Sequence, residues 1–374
     1  MYCIGLMSGT SLDAVDGILA RFPDEGRARV LTHASLPLPR SLRDEFLALN
    51  RPGNDELRRA ALAANALADL YADVVVAVLR AAGLAPADIG AVGAHGQTVR
   101  HAPEEGYTWQ LNAPARLAER AGIAVVADFR SRDVAAGGQG APLVPAFHQA
   151  VFAGEGPRVL LNLGGIANVS LLPGRASPTG AAEVGGFDTG PANMLLDLWC
   201  QRHLGLPFDR DGAWAASGQP RQALCAFLYD SEPWFAAPPP KSTGRDRFHV
   251  GWLDERLADY ERRHGAVTPA DVQATLLELT ARSAAEAIRQ TAAGAREVYV
   301  CGGGAANPVL MAALARYLPD CALQSTAALG VPPQQVEALA FAWLARAHLL
   351  KLPGNVTAVT GAAGPRVLGA LYPA

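Results

Sequence analysis

Two glycine-containing turns with carboxylates beside them carry the strongest chemical signal in the sequence. The first is SGTSLDAVDG, residues 8–17, where a tight turn offers backbone N–H groups and hydroxyls to a phosphate. Asp13 and Asp16 could hold Mg²⁺ there, directly or through water. The segment is not a Walker A loop, because no lysine follows it and no helix is predicted to begin there. The alternative for this segment alone is a polar hairpin turn without a ligand.

The second turn lies in GGFDTGPANMLLD, residues 185–197. Asp188 stands just before a Thr-Gly pair, and Pro191 is placed to begin a helix. A carboxylate beside the free N–H groups of a helix N-terminus can act as a general base next to a bound phosphate. The alternative is structural: Asp188 would only cap the helix.

A third segment, VCGGGAANPVL at 300–310, has three glycines between a predicted strand and a predicted helix. Glycines there let the backbone pack closely on a flat ligand such as a nucleoside. The GxGxxG spacing is missing, and no acidic residue follows about 20 residues on to bind a ribose, which disfavours a dinucleotide site.

Polar side chains are dense in two further stretches, 93–103 and 128–148. Set among glycines and prolines, they are typical of a pocket for a polyhydroxylated or carboxylated ligand: His95, Gln97, Arg130, Asp133 and Gln139. Arg130 could bind a carboxylate bidentately. Ordinary loop polarity is the alternative. Glu337 opens an apolar helix and is either an exposed first-turn residue or part of a binding cleft.

The elements that must position these residues form two similar halves. Each half opens with two strands joined by a turn rich in Gly, Ser or Thr, which predicts a duplicated α/β unit with the active site between the copies. Helices are predicted at 55–82, 114–121, 194–203, 271–293 and 334–350, and strands at 2–7, 14–21, 89–94, 123–127, 158–163, 166–172 and 297–301. Residues 355–361 are predicted as a strand before a short terminal helix.

Composition excludes several classes of protein. The chain has 374 residues, long enough for two domains, with 32 basic and 35 acidic residues and a net charge of −3. This balance argues against nucleic acid or an anionic membrane surface as partner. Five cysteines without a CxxC pair predict neither a disulfide framework nor a zinc site and suit a reducing cytoplasm. No secretory signal or membrane-spanning segment is predicted.

A phosphate loop in each half and a nucleoside-type turn favour an ATP-dependent phosphotransferase, with Mg²⁺ and backbone N–H groups positioning the phosphates. Beyond this reasoning, several blocks together resemble the anhydro-N-acetylmuramic acid kinase family. In chain order, these blocks span most of the sequence: MSGTSLDAVD (7–16), GAHGQTVRH (93–101), GGQGAPLVP (137–145), LNLGGIANVS (161–170), GFDTGPANMLLD (186–197), PPKSTGRDRF (239–248), DVQATLLELTA (271–281) and VEALAFAWLA (336–345).

The resemblance implies the actin, Hsp70 and sugar-kinase type of fold, with two ribonuclease H-like domains and ATP in the cleft between them. Domain I is expected at 1–127 plus 355–374, and domain II at 128–354. The implied reaction uses ATP, Mg²⁺ and water to open the 1,6-anhydro ring of 1,6-anhydro-N-acetylmuramic acid and to phosphorylate O6. The product is N-acetylmuramic acid 6-phosphate, an intermediate of cell-wall recycling. A cytoplasmic homodimer is implied.

The resemblance also implies roles for individual residues. Asp188 would activate the water that attacks the anomeric carbon, and Asp13 would hold Mg²⁺, directly or through water. ATP would be bound by Gly9, Thr10, Ser11, Leu12, Asp13, Ala14, Val15, Asp16, Gly190, Gly302, Gly303 and Asn307. The sugar would be bound by His95, Gln97, Arg130, Asp133, Gln139 and Glu337. The family usually has glycine where this chain has Ala14, which is tolerable unless that position needs a positive φ.

Two other functions are weighed against this one. An actin-fold kinase for an ordinary hexose or acyl acceptor would use Asp188 to deprotonate a hydroxyl group instead of water. The second alternative is a non-catalytic module whose conformation changes with ATP, since the same fold serves such roles. The dense polar set around Arg130 argues against a nucleotide switch alone.

Overall fold

The computed structural model describes residues 1–9, 12–23, 28–174, 184–244, 247–292 and 294–374. Their contacts divide the chain into unit 1, Met1–Phe152 with Gln335–Ala374, and unit 2, Ala153–Gln334. These limits differ from the expected boundaries at 127/128 and 354/355. The difference arises because the helices Val144–Phe152 and Val336–Leu349 pack on each other, which places both of them in unit 1.

Unit 1 is built on a six-stranded sheet. Strands are numbered in chain order over the whole chain. The strands of unit 1, including two outside this sheet, are β1 (Tyr2–Ser8), β2 (Ala14–Arg21), β3 (Arg29–Pro37), β4 (Ile89–Ala94), β5 (Gln97–Ala102), β6 (Tyr107–Leu111), β7 (Val125–Ala127) and β13 (Ala370–Tyr372). Its helices are α1 (Arg40–Leu49), α2 (Glu56–Ala82), α3 (Pro114–Ala121), α4 (Ser131–Ala135), α5 (Val144–Phe152), α12 (Val336–Leu349) and α13 (Thr357–Thr360). The sheet order is β13-β7-β4-β1-β2-β3, and β5 and β6 form a separate hairpin.

Helix α12 lies directly on β1 and β4 because two glycines leave room for its backbone. A Cβ at Gly5 of β1 would stand 1.9 Å from the carbonyl oxygen of Ala338, and one at Gly93 of β4 would stand 2.0 Å from that of Phe341. This close approach fixes the first turn of α12, and hence Glu337, relative to the ends of β1 and β4.

Helix α2 covers the sheet beside β2 and β3. Its helical pattern of apolar residues buries a stripe that includes Leu67, Tyr71 and Val78, and Gly83 ends it at φ 66°. Among the residues that the structure describes, α2 is the one helix with the length and apolar composition to cross a membrane. Here it packs as a core helix of unit 1.

Unit 2 contains the strands β8 (Arg158–Leu163), β9 (Ile166–Leu172), β10 (Gly185–Pro191), β11 (Glu297–Cys301) and β12 (Ala322–Ser325). Its helices are α6 (Asn193–Leu204), α7 (Ala213–Ser217), α8 (Gln222–Asp230), α9 (Val250–His264), α10 (Pro269–Thr291) and α11 (Pro308–Tyr317). The sheet order is β10-β9-β8-β11-β12, and the long, mostly buried α10 is the centre of the helical layer.

The two sheets share one topology. In each, three antiparallel strands follow one another, and a fourth strand then pairs in parallel with the first: β4 with β1, and β11 with β8. A fifth strand extends each sheet in parallel, β7 on β4 and β12 on β11. This is the ribonuclease H-like arrangement, present twice, so the predicted duplication and fold class are confirmed.

The prediction for the end of the chain is wrong. Residues 355–361 form no strand; they contain the short helix α13, and the terminal segment forms β13, which pairs antiparallel with β7. The apolar pattern of the segment does reflect burial, but the buried groups include Asn355 and Thr360, which bond to Asp133. The predicted helix 271–293 is α10, which ends at Thr291; residue 293 lies outside the described residues.

Candidate active site

Asp188 lies within strand β10, opposite Asn168 of β9, and not in an open turn. The register of the two strands shifts between Asp188 and Gly190, so Thr189 is the extra residue of a β-bulge. Bulges change the direction in which neighbouring side chains point. Gly190 has φ 149°, and a Cβ there would stand 2.8 Å from the ring of Phe235. Only glycine fits this bulge without moving the ring.

The carboxyl group of Asp188 is largely buried and held on one side. Its Oδ2 accepts a hydrogen bond from the N–H of Thr243 at 2.9 Å, and its own N–H donates to the carbonyl of Lys241 at 3.1 Å. Burial raises the pKa of Asp188 to about 6, although the Thr243 bond acts in the opposite direction. A carboxylate with this pKa is ionised at neutral pH and is more basic than an ordinary aspartate.

Two N–H groups at the helix N-terminus beside Asp188 are already bonded, whereas free groups were expected. The N–H groups of Asn193 and Met194 donate to the carbonyls of Gly164 and Gly165, at 3.1 Å each. Helix α6 also begins at Asn193, two residues later than a Pro191 start would place it. The first two N–H groups of α6 are thus bonded to the hairpin turn between β8 and β9 and do not face Asp188 as free donors.

The glycine turn after β11 has one open position. A Cβ at Gly302, which has φ 79°, would stand 2.4 Å from Asn162 Oδ1, so Gly302 is required by packing. Gly303 is exposed, and a Cβ there would meet only the Nδ2 of Asn193, at 3.6 Å. Gly303 therefore leaves room for a flat ligand. Asn307 instead caps α11, because its Oδ1 accepts from the N–H groups of Val309 and Leu310.

The first turn, between β1 and β2, is described only in part, and Thr10 and Ser11 lie outside the described residues. Leu12 is buried with φ 58°, a left-handed conformation that is uncommon outside glycine, and its N–H donates to Gly9. Asp13 and Asp16 are exposed. Ala14 and Val15 lie in β2, and Ala14 does not have a positive φ, so the methyl group that departs from the family pattern is accommodated.

At the same edge of unit 1, polar residues gather where the parallel strands β1 and β4 end, the usual place for ligands in such sheets. Ser8 donates to the Oε1 of Gln97 at 2.6 Å, and both are buried. His95 is buried, and burial with the charge of Arg130 lowers its pKa to about 3. The Nε and Nη2 atoms of Arg130 lie 3.3 and 3.0 Å from the Nε2 of His95.

Arg130 is therefore arranged differently from the expectation of a bidentate carboxylate clamp. Its side-on pair of donors faces His95, and Nη1 donates to the carbonyl of Gly140 at 2.8 Å. Glu337 is accessible to solvent but closely surrounded by protein atoms. Desolvation by these atoms raises the pKa of the Glu337 carboxyl. The positive charge of Arg130 lowers this pKa, and the negative charge of Asp16 raises it. Glu337 and Arg130 thus interact electrostatically within unit 1.

Asp133 is fully buried and bonded to protein groups through both oxygens. Oδ2 accepts from the N–H of Gly140 at 2.8 Å, and Oδ1 accepts from Asn355 at 2.7 Å and from Thr360 at 2.8 Å. The N–H of Gln139 donates to the carbonyl of Thr360, while its side chain is exposed. Asp133 thus ties the segment that carries Gln139 to the C-terminal part of the chain.

Three residues of the site have no role predicted from the sequence: Lys241 and Thr243, which contact Asp188, and Ser8, which contacts Gln97. The signal was present, because 239–248 is one of the blocks that resemble the family. No periodicity places that loop next to β10, since the contact joins positions 55 residues apart.

Over the described ranges, no cluster of three or more His, Cys, Asp or Glu side chains could hold a metal ion. Mg²⁺ usually keeps several waters and binds one or two carboxylates together with substrate phosphates, so it does not need such a cluster. Asp13, the carboxylate that the sequence predicts for such a site, is exposed and lies 3.7 Å from Arg43.

Two ribonuclease H-like units, each with a Gly-containing turn between its first two strands, define the actin, Hsp70 and sugar-kinase class of proteins. Within that class, the model of the family described as anhydro-N-acetylmuramic acid kinase matches residues 1–374, and the chain belongs to this family. The resemblance found in the sequence motifs is confirmed.

Individual relatives match over the whole chain. The anhydro-N-acetylmuramic acid kinase of Bordetella parapertussis is 61% identical over 372 residues, which are 99% of this chain and 96% of that protein. The protein of the same name from Cupriavidus pinatubonensis is 58% identical over 375 residues, 99% and 98% of the two chains. Among solved structures, the activator of the 2-hydroxyisocaproyl-CoA dehydratase from Clostridium difficile is 13% identical, with a TM-score of 0.48 over 92% of this chain and 94% of that one.

Proposed function

We propose that the chain is an ATP-dependent kinase that opens the 1,6-anhydro ring of 1,6-anhydro-N-acetylmuramic acid and phosphorylates O6, in cell-wall recycling. Family membership supports the substrate, and the buried carboxyl of Asp188 is the observation that carries the mechanism. Its pKa of about 6 gives a base that is ionised at neutral pH yet able to take a proton from water.

Asp188 takes one proton from a water molecule as the water oxygen bonds to the anomeric carbon of the sugar. The bond between that carbon and O6 breaks, and O6 takes the electron pair. O6 then bonds to the γ-phosphorus of ATP while the bond to the β–γ bridging oxygen breaks, releasing ADP. Water, anhydro-sugar and ATP thus give the sugar 6-phosphate, ADP and one proton, which Asp188 releases to solvent.

The other residues bind and orient. In unit 1, Arg130, with Glu337 and Gln97, is proposed to bind the sugar, and neutral His95 holds the guanidinium in place. In unit 2, the open surface at Gly303 accepts the nucleoside. The turn at Gly9 binds the phosphates, and Asp13 is the residue that would hold Mg²⁺ through water. ATP supplies the phosphoryl group, and the metal ion neutralises the charge on its phosphates.

We also propose that the protein acts in the cytoplasm, where ATP is available, and that it forms a homodimer. In the described part of the chain the cysteines form no disulfide, which suits a reducing compartment. Sedimentation velocity at micromolar concentration tests the dimer.

The test of the reaction is incubation with ATP, Mg²⁺ and 1,6-anhydro-N-acetylmuramic acid in ¹⁸O-water, with prompt mass spectrometry of the products. We expect one ¹⁸O atom at the anomeric carbon of a 6-phosphorylated sugar, and none in the phosphate. Asp188→Asn should abolish the product, whereas Asp254→Asn, an exposed aspartate of the same unit, should not. Label in the phosphate, or no product while ATP is bound, would contradict the proposal.

A further inference from the structure

The three-residue segment 241–243, which we call the KST segment, contacts Asp188 at two points. The carbonyl of Lys241 accepts the N–H of Asp188, and the N–H of Thr243 donates to Oδ2. The main chain and the carboxyl group of Asp188 are thus fixed by one short piece of backbone. Among the residues that the structure describes, none donates to the other carboxylate oxygen, Oδ1.

The KST segment is in turn held by Trp234. The indole Nε1–H donates to the carbonyl of Ser242 at 3.1 Å. In the opposite direction, the ammonium group of Lys241 donates to the carbonyls of Phe235 at 2.8 Å and Trp234 at 3.3 Å. The same ammonium lies 4.5 Å from the centre of the Trp234 ring, a cation–π contact. Two adjacent residues of the segment are therefore anchored to one short turn.

That turn is bonded to a buried carboxylate. Glu232 is buried and accepts hydrogen bonds from the N–H of Trp234, the Nη1 of Arg247 and the indole of Trp252. The Trp234 ring also makes an edge contact with Phe248. A chain of contacts runs from this buried core through the KST segment to Asp188.

Lys241 is chemically suited to this task. Lys241 and Lys351 are the two lysines of a chain that otherwise uses arginine. An ammonium is a compact charge with three donors, so it can reach two carbonyls and a ring face at once, whereas the planar fork of arginine is shaped for carboxylates. In the described part of the chain, its contacts are carbonyls and a ring, not a carboxylate, and burial lowers its pKa.

We propose that Lys241 and Trp234 are positioning residues that hold the Thr243 N–H on Oδ2 of Asp188, so that Oδ1 alone points to the attacking water. Neither residue is proposed to touch the substrate. The inference rests on the proposed function for its kinetic consequence, but the contact with Asp188 can be measured independently of activity.

The decisive variants are Lys241→Met, which keeps the length of the stem and removes the donors, and Trp234→Phe, which keeps a ring and removes the indole N–H. The control is Lys351→Met, at the other lysine, which lies on the exposed surface of unit 1. The first measurement is a pH titration by NMR of protein with ¹³C-labelled aspartate carboxyl groups. The Asp188 signal is identified by its absence in Asp188→Asn.

Within the described chain, two effects shift the pKa of Asp188. Burial raises this pKa, and the hydrogen bond from the Thr243 N–H lowers it. From the neighbouring elements, uncharged Asn168 lies opposite on β9 and uncharged Ser283 of α10 lies beside Gly190. Loosening the KST segment should therefore raise the Asp188 pKa by about 0.5–1 unit in both variants and leave it unchanged in Lys351→Met. We also expect kcat to fall about tenfold with little change in the KM for the sugar, because orientation is lost rather than binding.

The possible outcomes separate the two proposals. If the NMR pKa and the acidic limb of the pH–rate profile rise together, both the positioning role and the basic role of Asp188 are supported. If the NMR pKa rises and the limb stays in place, the positioning role stands and Asp188 is not the base. If the NMR pKa is unchanged in both folded variants, the inference is overturned. Trp234→Phe provides this answer should Lys241→Met fail to fold.

Discussion

Arg130 donates to the Nε2 of His95 at 3.0 Å, and this contact fixes the protonation state of the imidazole. Arginine has donors only, so Nε2 must be the accepting nitrogen and the proton must be on Nδ1. Burial first, and then the charge of Arg130, lowers the pKa of His95 to about 3. His95 therefore stays neutral at physiological pH and can hold a cation beside it without charge repulsion.

The first prediction concerns this pair. His95→Phe removes the acceptor and frees the side-on donors of Arg130, so the guanidinium loses its orientation. We expect the KM for the anhydro-sugar to rise about tenfold, the effect of one lost or misplaced hydrogen bond to a charged group, with a smaller change in kcat. His95→Gln, which retains an acceptor, should recover part of the loss. The control is His101→Gln, at an exposed histidine of β5. Equal KM values for His95→Phe and the wild type would remove Arg130 from the sugar site.

A second prediction links activity to stability at Asp188. The native pKa of about 6 lies above the ordinary value of 3.8, so the native state binds more protons than the unfolded state between these pH values. The wild type therefore loses stability as pH rises from about 4 to 6, and the loss persists above pH 6. Asp188→Asn does not carry this cost. We expect it to be inactive yet more stable at pH 8, by about 1–3 kcal/mol, with the difference vanishing near pH 4.

Thermal unfolding of both proteins between pH 4 and 8 measures this difference. Asp254→Asn is again the control, because its exposed partner is Arg202 and surface ion pairs contribute little. A stability difference that does not depend on pH would show that Asp188 is not titrating near pH 6.

The sequence predicted the elements in which apolar residues recur with a regular helical or strand spacing. Both opening hairpins, helix α2 and helix α10 follow from the spacing of apolar residues, and the repetition of the hairpins indicates the doubled fold. The bulge at Thr189 could not be predicted, because it depends on how β10 pairs with β9. Because strand pairing is not visible in the sequence, Asp188 was expected in a turn beside free N–H groups. In the structure, the N–H groups of Asn193 and Met194 donate to the carbonyls of Gly164 and Gly165.

The polar side chains show the same limit. Asp133 and Arg130 were expected together in one ligand set, because both are hydrogen-bonding side chains in a stretch rich in glycine and proline. Burial separates their roles: Asp133 bonds to Asn355 and Thr360, more than 200 positions away. Residue type and spacing indicated that these positions matter, but only long-range contacts distinguish a group that faces a ligand from one that supports its loop.

The third prediction separates two adjacent glycines. Gly303→Ala adds a methyl group where the protein leaves space, so the variant should fold with an unchanged Tm, but the methyl should meet the nucleoside. We expect its KM for ATP to rise about tenfold, in the range of overpacking penalties of 1–3 kcal/mol. Gly302→Ala puts a methyl at a positive φ against Asn162 and should lower the Tm. If Gly303→Ala has a normal KM for ATP, the nucleoside does not bind on this turn.

The fourth prediction tests whether Asp133 supports the loop or contacts the sugar. Asp133→Asn keeps an acceptor for Asn355 and Thr360 but turns an N–H₂ group towards the N–H of Gly140, so two donors face each other in a buried site. We expect the free energy of unfolding, measured by urea titration, to fall by about 3 kcal/mol. This is the cost of leaving buried polar groups without the charged carboxylate to which they were hydrogen-bonded.

The exposed Asp44→Asn, which breaks only a surface pair with Arg40, should change the free energy of unfolding by less than about 0.5 kcal/mol. At a temperature where folded Asp133→Asn is still populated, its KM for the sugar should rise only modestly, because Gln139 and the Gly140 carbonyl that accepts from Arg130 are displaced rather than removed. A large rise in KM with no loss of stability would instead make Asp133 a direct ligand of the sugar, and the buried hydrogen bonds to Asn355 and Thr360 would then have to open when the substrate binds.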